Sequence, residues 1–300
     1  MTDRIKEIKE FQWEKRHHKA RRPLPETLYY RDPELSDTLR SALRTKQALD
    51  AEQPFLFPGE YIAFTRTLPN LPFLYDEGEW ADITSTHFIH ESGNVSNLSP
   101  DYGTVLRHGL LYFRERLGGG ELHEATRITI DALLDLTARY AAAAREAGNK
   151  ELAAVLDRVP ARGARSFREA LQSLRILHYA MWCEGDYHNT LGRFDQYMMP
   201  YLADDLQAGR ETEESALELV EAFFLACNRD SDLYQGMQQG DNGQSMVLGG
   251  MTPDGGDGYN LLTGLCLDAC GELMLIDPKI NQRVNKNTPL WVYENGTRLT

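Results

Sequence analysis

The stretch that most constrains this chain is Gly243–Thr263, GQSMVLGGMTPDGGDGYNLLT. A brief apolar run, Met246 to Leu248, meets Gly249-Gly250. A loop with Asp254, Asp257 and further glycines follows, and helical periodicity begins at Asn260. So short an apolar run between turn residues reads as a buried strand. The loop after it admits several chemistries, and spacing removes most of them. A phosphate-binding P-loop needs GxxxxGK and then Ser or Thr, and no lysine stands here. Gly255-Gly256-Asp257-Gly258 does not fit a GxGxxG dinucleotide fingerprint. Two acids would also repel a phosphate at a helix N-terminus. A calcium loop needs oxygens at alternate positions and a closing Glu. From Asp254 the alternates are Gly256 and Gly258, and the closing position is Leu265. What remains is a tight strand-to-helix turn, with Asp257 or Asn260 capping the helix.

The rest of the chain reads mainly as helices. The first 50 residues are helical and polar, interrupted by RRPLPETLYYRDPE. Glu60 to Thr67 alternates apolar and polar residues between Pro58-Gly59 and Pro69, which predicts a strand. ITSTHFIHESGNVSNLSPDY, from Ile83, predicts a second short strand and a loop. Ser99-Pro100-Asp101 then starts a helix running to Leu117. Further helices are expected over 121–148, 150–158, 166–183, 193–207, 212–228 and 260–275. The chain ends NTPLWVYENGTRLT with no evident closing element.

Of the 300 residues, 42% are apolar and 26% charged, the balance of a globular protein. A net charge of −13 argues against a nucleic-acid binder, which needs a basic face. The basic cluster Lys15 to Arg22 reads as a solvated helix face. Cys183, Cys227, Cys266 and Cys270 form no CxxC and are expected to be buried, reduced thiols. The N-terminus lacks the apolar core of a signal peptide, and no apolar run approaches a membrane span. A cytoplasmic protein is therefore expected, with neither nucleic acid nor membrane as partner.

Two polar clusters could carry chemistry. The loop in CEGDYHNTLGRFDQYMMPYL, Cys183 to Leu202, gathers Asp186, Tyr187, His188 and Asn189 between two helices. His87, His90 and Glu91 have metal-ligand density but not the HExxH spacing, and no metal is expected. No GxSxG elbow occurs, so a hydrolase triad has no support.

Taken in order, PGEYIAFTR, SGNVSNLSPDYGTVLRHGL, GRFDQYMMPY, SMVLGGMTPDGGDGYNLLTGLCLDACGEL and DPKINQRVNKNTP resemble the N-terminal half of a glycyl radical enzyme of the pyruvate formate-lyase superfamily. The resemblance implies an α/β fold: an N-terminal helical segment, 1–53, and over 54–300 the first half of a ten-stranded α/β barrel. That barrel portion would stop before the cysteine loop and the glycyl radical region. In the family, a radical S-adenosylmethionine activating enzyme places the radical on a backbone glycine, and a barrel-centre cysteine passes it to the substrate. Neither residue has a counterpart here, so no catalytic residue is carried over. The chain is expected to bind no cofactor itself, to be inactive and aggregation-prone alone, and to be a homodimer in full-length form. GRFDQY favours radical C–X or C–C cleavage by a lyase or dehydratase of a small polar substrate over a formate acetyltransferase.

The resemblance also nominates substrate-binding positions: His188, Asn189 and Thr190 before GRFDQY, Gln244 and Ser245 before the Gly pair, and Asn94. Dehydratases of the family tend to carry His-Ser where His188-Asn189 stands, and Gly-His where Gly93-Asn94 stands. The missing imidazole speaks against ordinary polyol dehydration. His188, the one imidazole among these positions, is the candidate proton-transfer partner. Two other expectations stand beside this one: a non-catalytic scaffold of the same fold, and a nucleotide-dependent enzyme using the glycine loop.

Overall fold

A computed structural model describes residues 1–86, 98–185, 188–233 and 244–299, the Asp232 side chain excepted. The helices in chain order are α1 Asp3–Trp13, α2 Asp37–Ala51, α3 Glu77–Thr86, α4 Tyr102–His108, α5 Leu110–Arg114, α6 Glu121–Glu146, α7 Lys150–Leu156, α8 Phe167–Glu184, α9 Phe194–Gln207 and α10 Glu213–Asn228. Then come strand β1 Ser245–Gly249, helix α11 Leu261–Leu273, strand β2 Lys279–Arg283 and helix α12 Leu290–Thr297.

Most helix starts follow local capping chemistry. Ser166 accepts from the Glu169 amide at the head of α8. Thr212 with Ser215, and Asn260 with Thr263, form reciprocal capping boxes at α10 and α11. The helix expected to run to Leu117 is instead split into α4 and α5. Gly109, at φ 77°, breaks it where a Cβ would lie 2.4 Å from the Arg162 main chain.

Helix α8 is the spine of the fold. Its Phe167, Ala170, Leu171 and Leu174 enter one core, built with α1, α4, α9, α10, β1 and α11. Its Ile176, Tyr179 and Cys183 enter a second, built with α2, α6 and α7. The initial helices belong to these cores: Ile5, Ile8 and Phe11 of α1 lie in the first, and Ala48 and Leu49 of α2 in the second.

Glu60–Thr67, expected as a strand, is buried and irregular. Side chains take the place of a neighbouring strand. The Ala63 amide donates to Gln172 Oε1 at 2.8 Å, and the Phe64 carbonyl accepts from Arg175 Nη2 at 2.8 Å. The Tyr140 hydroxyl serves both Thr65 N and Thr65 O. Arg66 N donates to Asp230, and the Thr67 and Leu68 amides donate to Glu52. Buried backbone groups must be paired, and here side chains on the helices, or just past the ends of α2 and α10, supply the partners. Apolar alternation alone cannot distinguish the two arrangements.

The second expected strand is also corrected in part. Ile83–Thr86 lies in α3, which Asp76 and Glu79 cap reciprocally, each carboxylate accepting the other's amide. The remainder of that segment, residues 87–97, lies outside the described residues.

The extended segments adjoin one another in chain order, with parallel pairing from Gly192 through β1 to β2. Thr190 N donates to Leu98 O at 2.9 Å. Leu191 N donates to Ser245 O and Val247 N to Gly192 O, both at 2.8 Å, and Gly192 bridges Met246 in parallel. β1 then pairs in parallel with β2, Ser245 opposite Lys279 through Gly249 opposite Arg283. Helices make every crossover, as parallel pairing requires. Met246 and Leu248 are fully buried against those helices, and Ile280 packs on the same core. The other face of the array, with Ser245, Val247, Lys279 and Asn281, has no helix layer among the described residues and is partly or fully exposed.

The segment at Phe64–Arg66 is held by the Arg175–Asp230 pair, at 2.5 Å with both side chains fully buried. Removing one partner of such a pair leaves an uncompensated charge. Arg175→Met is expected to destabilise the fold by about 3–5 kcal/mol, read as a shift in the urea unfolding midpoint. A change below about 1 kcal/mol would mean that Asp230 and the Phe64 carbonyl do not depend on this guanidinium.

Candidate functional site

The array is held in register by the block GRFDQY. Asp195, in the first turn of α9, is fully buried. Its Oδ2 accepts from Gly249 N and from Thr263 Oγ1, both at 2.6 Å. Its carbonyl accepts from Asn260 Nδ2 at 3.1 Å. One carboxylate thus joins the end of β1 to the start of α11. Burial pushes the Asp195 carboxyl above the usual range, while the bonds from Thr263 and Gly249 oppose that shift.

Its neighbours extend the joint. Arg193 Nη2 donates to Gly249 O at 2.8 Å and Gln196 Nε2 to Gly258 O at 2.8 Å. From beyond β2, Asn285 Nδ2 donates to Gly250 O at 2.8 Å. Gly249 and Gly250 have φ of 66° and 88°, the left-handed region that glycine enters without strain. Asn260 caps α11, the second of the two residues considered for that role. The glycine loop is therefore a strand-to-helix turn clamped by α9.

Parallel pairing fixes which side chains share a face. Partners in register point the same way, and successive residues alternate. Ser245 and Val247 of β1 stand with Lys279 and Asn281 of β2 on the open face, opposite Met246, Leu248 and Ile280. Thr190 sits on the neighbouring segment, where its Oγ1 accepts from Gly192 N at 2.9 Å. His188 is half-buried and holds φ 56°, an uncommon conformation for a residue with a side chain.

Asn189 is fully buried, on the side of α8. There it meets His178, whose imidazole is lowered to about 3 by burial and by the Arg175 charge, with a bond to the Asn189 main chain opposing. The His178 ring is thus neutral and packs at 5.0 Å against Trp182, the two planes tilted by 47°.

Of the six nominated positions, Thr190 and Ser245 lie on adjoining segments joined by the Leu191 N–Ser245 O bond, and His188 lies two residues before Thr190. Gln244 is fully buried and donates from Nε2 to Cys227 O at 2.8 Å, which ties it to α10. Asn94 lies outside the described residues, as do Asp186, Tyr187, His87, His90 and Glu91. Two residues of the open face, Lys279 and Asn281, were not foreseen. Only the alternation Lys279-Ile280-Asn281-Gln282 after Pro278 signals their strand, and it contains one apolar residue.

A family model described as pyruvate formate lyase-like matches residues 74–295. The chain belongs to that family. It is 33% identical over 190 residues to an isethionate sulfite-lyase of Desulfovibrio desulfuricans, covering 56% of this chain and 23% of that protein. It is 28% identical over 240 residues to a (2S)-3-sulfopropanediol dehydratase of Klebsiella oxytoca, covering 69% and 29%. A solved glycyl radical enzyme from Archaeoglobus fulgidus superposes with a TM-score of 0.81 at 19% identity, over 99% of this chain and 50% of that one. This member of the pyruvate formate lyase-like family therefore has the glycyl radical enzyme fold, over about half of the solved chain's length. It spans less than a third of the curated relatives. Those relatives are lyases and dehydratases of small polar compounds.

The Asp195 joint predicts a defined loss. Asp195→Asn presents an amide where one carboxylate oxygen accepts two donors, so stability should fall by about 2–3 kcal/mol in chemical denaturation. An unchanged midpoint would remove Asp195 as the link between β1 and α11.

Proposed function

We propose that this chain supplies one wall of the substrate chamber of a glycyl radical lyase or dehydratase that cleaves a C–X or C–C bond in a small polar substrate. The observation that carries this reading is the open face of the parallel array. There, neutral hydrogen-bonding groups on Ser245 and Asn281 share one face, with Thr190 on the adjoining segment, within the fold of a family whose relatives act on such compounds. In the active enzyme the radical, installed by an activating enzyme of the radical S-adenosylmethionine type, supplies the hydrogen abstraction. The residues of this chain bind and orient. Hydroxyl and amide groups both donate and accept, so they can hold a hydroxylated substrate without committing to its charge. His188, two residues before Thr190, is the candidate to hold or move a proton at the departing group.

This chain joined to a glycyl radical region with its cysteine loop is tested after anaerobic activation, by the glycyl radical signal in electron paramagnetic resonance and by turnover of hydroxylated two- and three-carbon compounds. Ser245→Ala with Thr190→Val is expected to leave the radical signal intact and to lower kcat/KM by roughly 10- to 100-fold, as loss of two substrate hydrogen bonds would. Failure to form a radical would sink the lyase reading. Wild-type kinetics in the double variant would move the substrate off this face.

A further inference from the structure

We propose that the cavity between the C-terminal ends of α1, α10 and α11 is a second ligand site, one that takes a neutral, flat aromatic molecule carrying an N–H or O–H donor. The cavity measures about 330 Å³. Trp13, Lys15 and His17 line it from the end of α1 and just beyond, Arg229 from the end of α10, and Met274 to Ile276 from beyond α11. Thr190, Ser245 and Asn281 do not line it, so it stands apart from the open face. It is tied instead to the approach to β2, because Asn228 in its wall donates from Nδ2 to the Asp277 carbonyl.

One buried acceptor in that wall has no donor. The His17 residue is 4% exposed. Its Nε2 lies 2.8 Å from the Arg229 carbonyl, which can only accept, so Nε2 carries the ring proton. Burial lowers the imidazole to about 4, which leaves the ring neutral and Nδ1 a bare lone pair. Phe57 and His18 hold the ring in place, with centroids at 5.4 Å and 4.6 Å. Nδ1 is buried and has no partner among the described residues. An unpaired buried acceptor destabilises the fold, and a donor brought into the cavity restores the missing bond.

The remaining walls fix the rest of the ligand. Trp13, Met274 and Ile276 are all more than half exposed, an apolar rim that solvent alone does not favour. Lys9 positions the Trp13 ring: its ammonium lies 5.5 Å from the ring centroid and donates to Leu273 O at 2.9 Å. An indole face and a thioether side by side suit a flat aromatic guest. Lys15 and Met274 hold φ of 55° and 51°, two of the four non-glycine residues with positive φ among the described residues. A glycine past each helix would have been easier, so side chains are kept there at the expense of local strain. Charge selects against ions of either sign. Three helix C-termini present their negative ends to the cavity, which disfavours an anion, and the Lys15 ammonium at its edge disfavours a cation.

Indole and N-methylindole, alike in shape but not in donor, test this by NMR titration of the purified protein with labelled methionine methyl groups. Indole is expected to saturate and to shift the Met274 methyl signal, and N-methylindole to bind at least about 10-fold more weakly. Trp13→Ala and Met274→Gly should each weaken indole by about 3- to 10-fold. The melting temperature should hold in the first and rise in the second, where glycine relieves the left-handed backbone. His17→Leu should erase the preference for indole. Where that variant does not fold, the comparison of the two ligands on the wild type reads the same bond. Absence of saturation, equal affinity for the two ligands, or binding left intact by both Trp13→Ala and Met274→Gly would overturn the proposal. The site needs no radical, so its outcome is independent of the lyase reading.

Discussion

The buried carboxylate of Asp195 is the constraint on which the site-bearing half of the molecule depends. It accepts from the last residue of β1 and from the first turn of α11 through a single oxygen. A strand of five residues has little register preference of its own, and a slip of one residue would exchange its two faces. Asp195 pins that strand at its end, and Arg193 and Gln196 pin the turn beyond it. With the register fixed, Met246 and Leu248 go to the helices while Ser245 and Val247 go to the open face. The arrangement of the candidate site follows from that assignment.

The second organising device is the buried segment at Glu60–Thr67. It runs between the two cores without a strand beside it, and its amides and carbonyls end on Gln172, Arg175, Tyr140, Asp230 and Glu52. Two of these, Gln172 and Arg175, lie on α8, the helix that also carries His178 beneath the 188–190 turn. The packing of the cores and the placement of the site therefore share one element. A backbone conformation supported by side chains costs more residues than a sheet does, and those residues must be polar and buried. That accounts for the unusual set of charged groups in this interior, Arg175, Asp230, Arg229, Glu60 and Glu52.

Helices were legible from local chemistry, because caps such as Ser166, Thr212 and Asn260 act within four residues of themselves. The strand ending at Gly249 was legible because two glycines stop it. Glu60–Thr67 was misread because its apolar–polar alternation does not correspond to alternating burial: nearly the whole segment is buried, and its hydrogen-bond partners are distant in sequence. β2 was not read at all, since Lys279, Asn281 and Gln282 hide its one core residue, Ile280. In the site, the resemblance brought attention to Gln244 and Ser245 together, although adjacent strand residues face opposite ways. Only the pairing showed that Gln244 serves α10 and that the partner of Ser245 is Lys279. The GRFDQY block, the most specific sequence mark, proved to be the joint that holds the site rather than a lining of it.

The most direct test of this account is amide hydrogen exchange at Gly249, followed by NMR on the intact protein. That amide ends β1 and is buried under the Asp195 carboxylate. It should therefore exchange only through unfolding of the core, as slowly as the central amides of α8. Exchange at the rate of the exposed Asp254–Gly256 turn would contradict the account. It would mean that β1 is not clasped by α9, and that Ser245 and Lys279 do not share a fixed face.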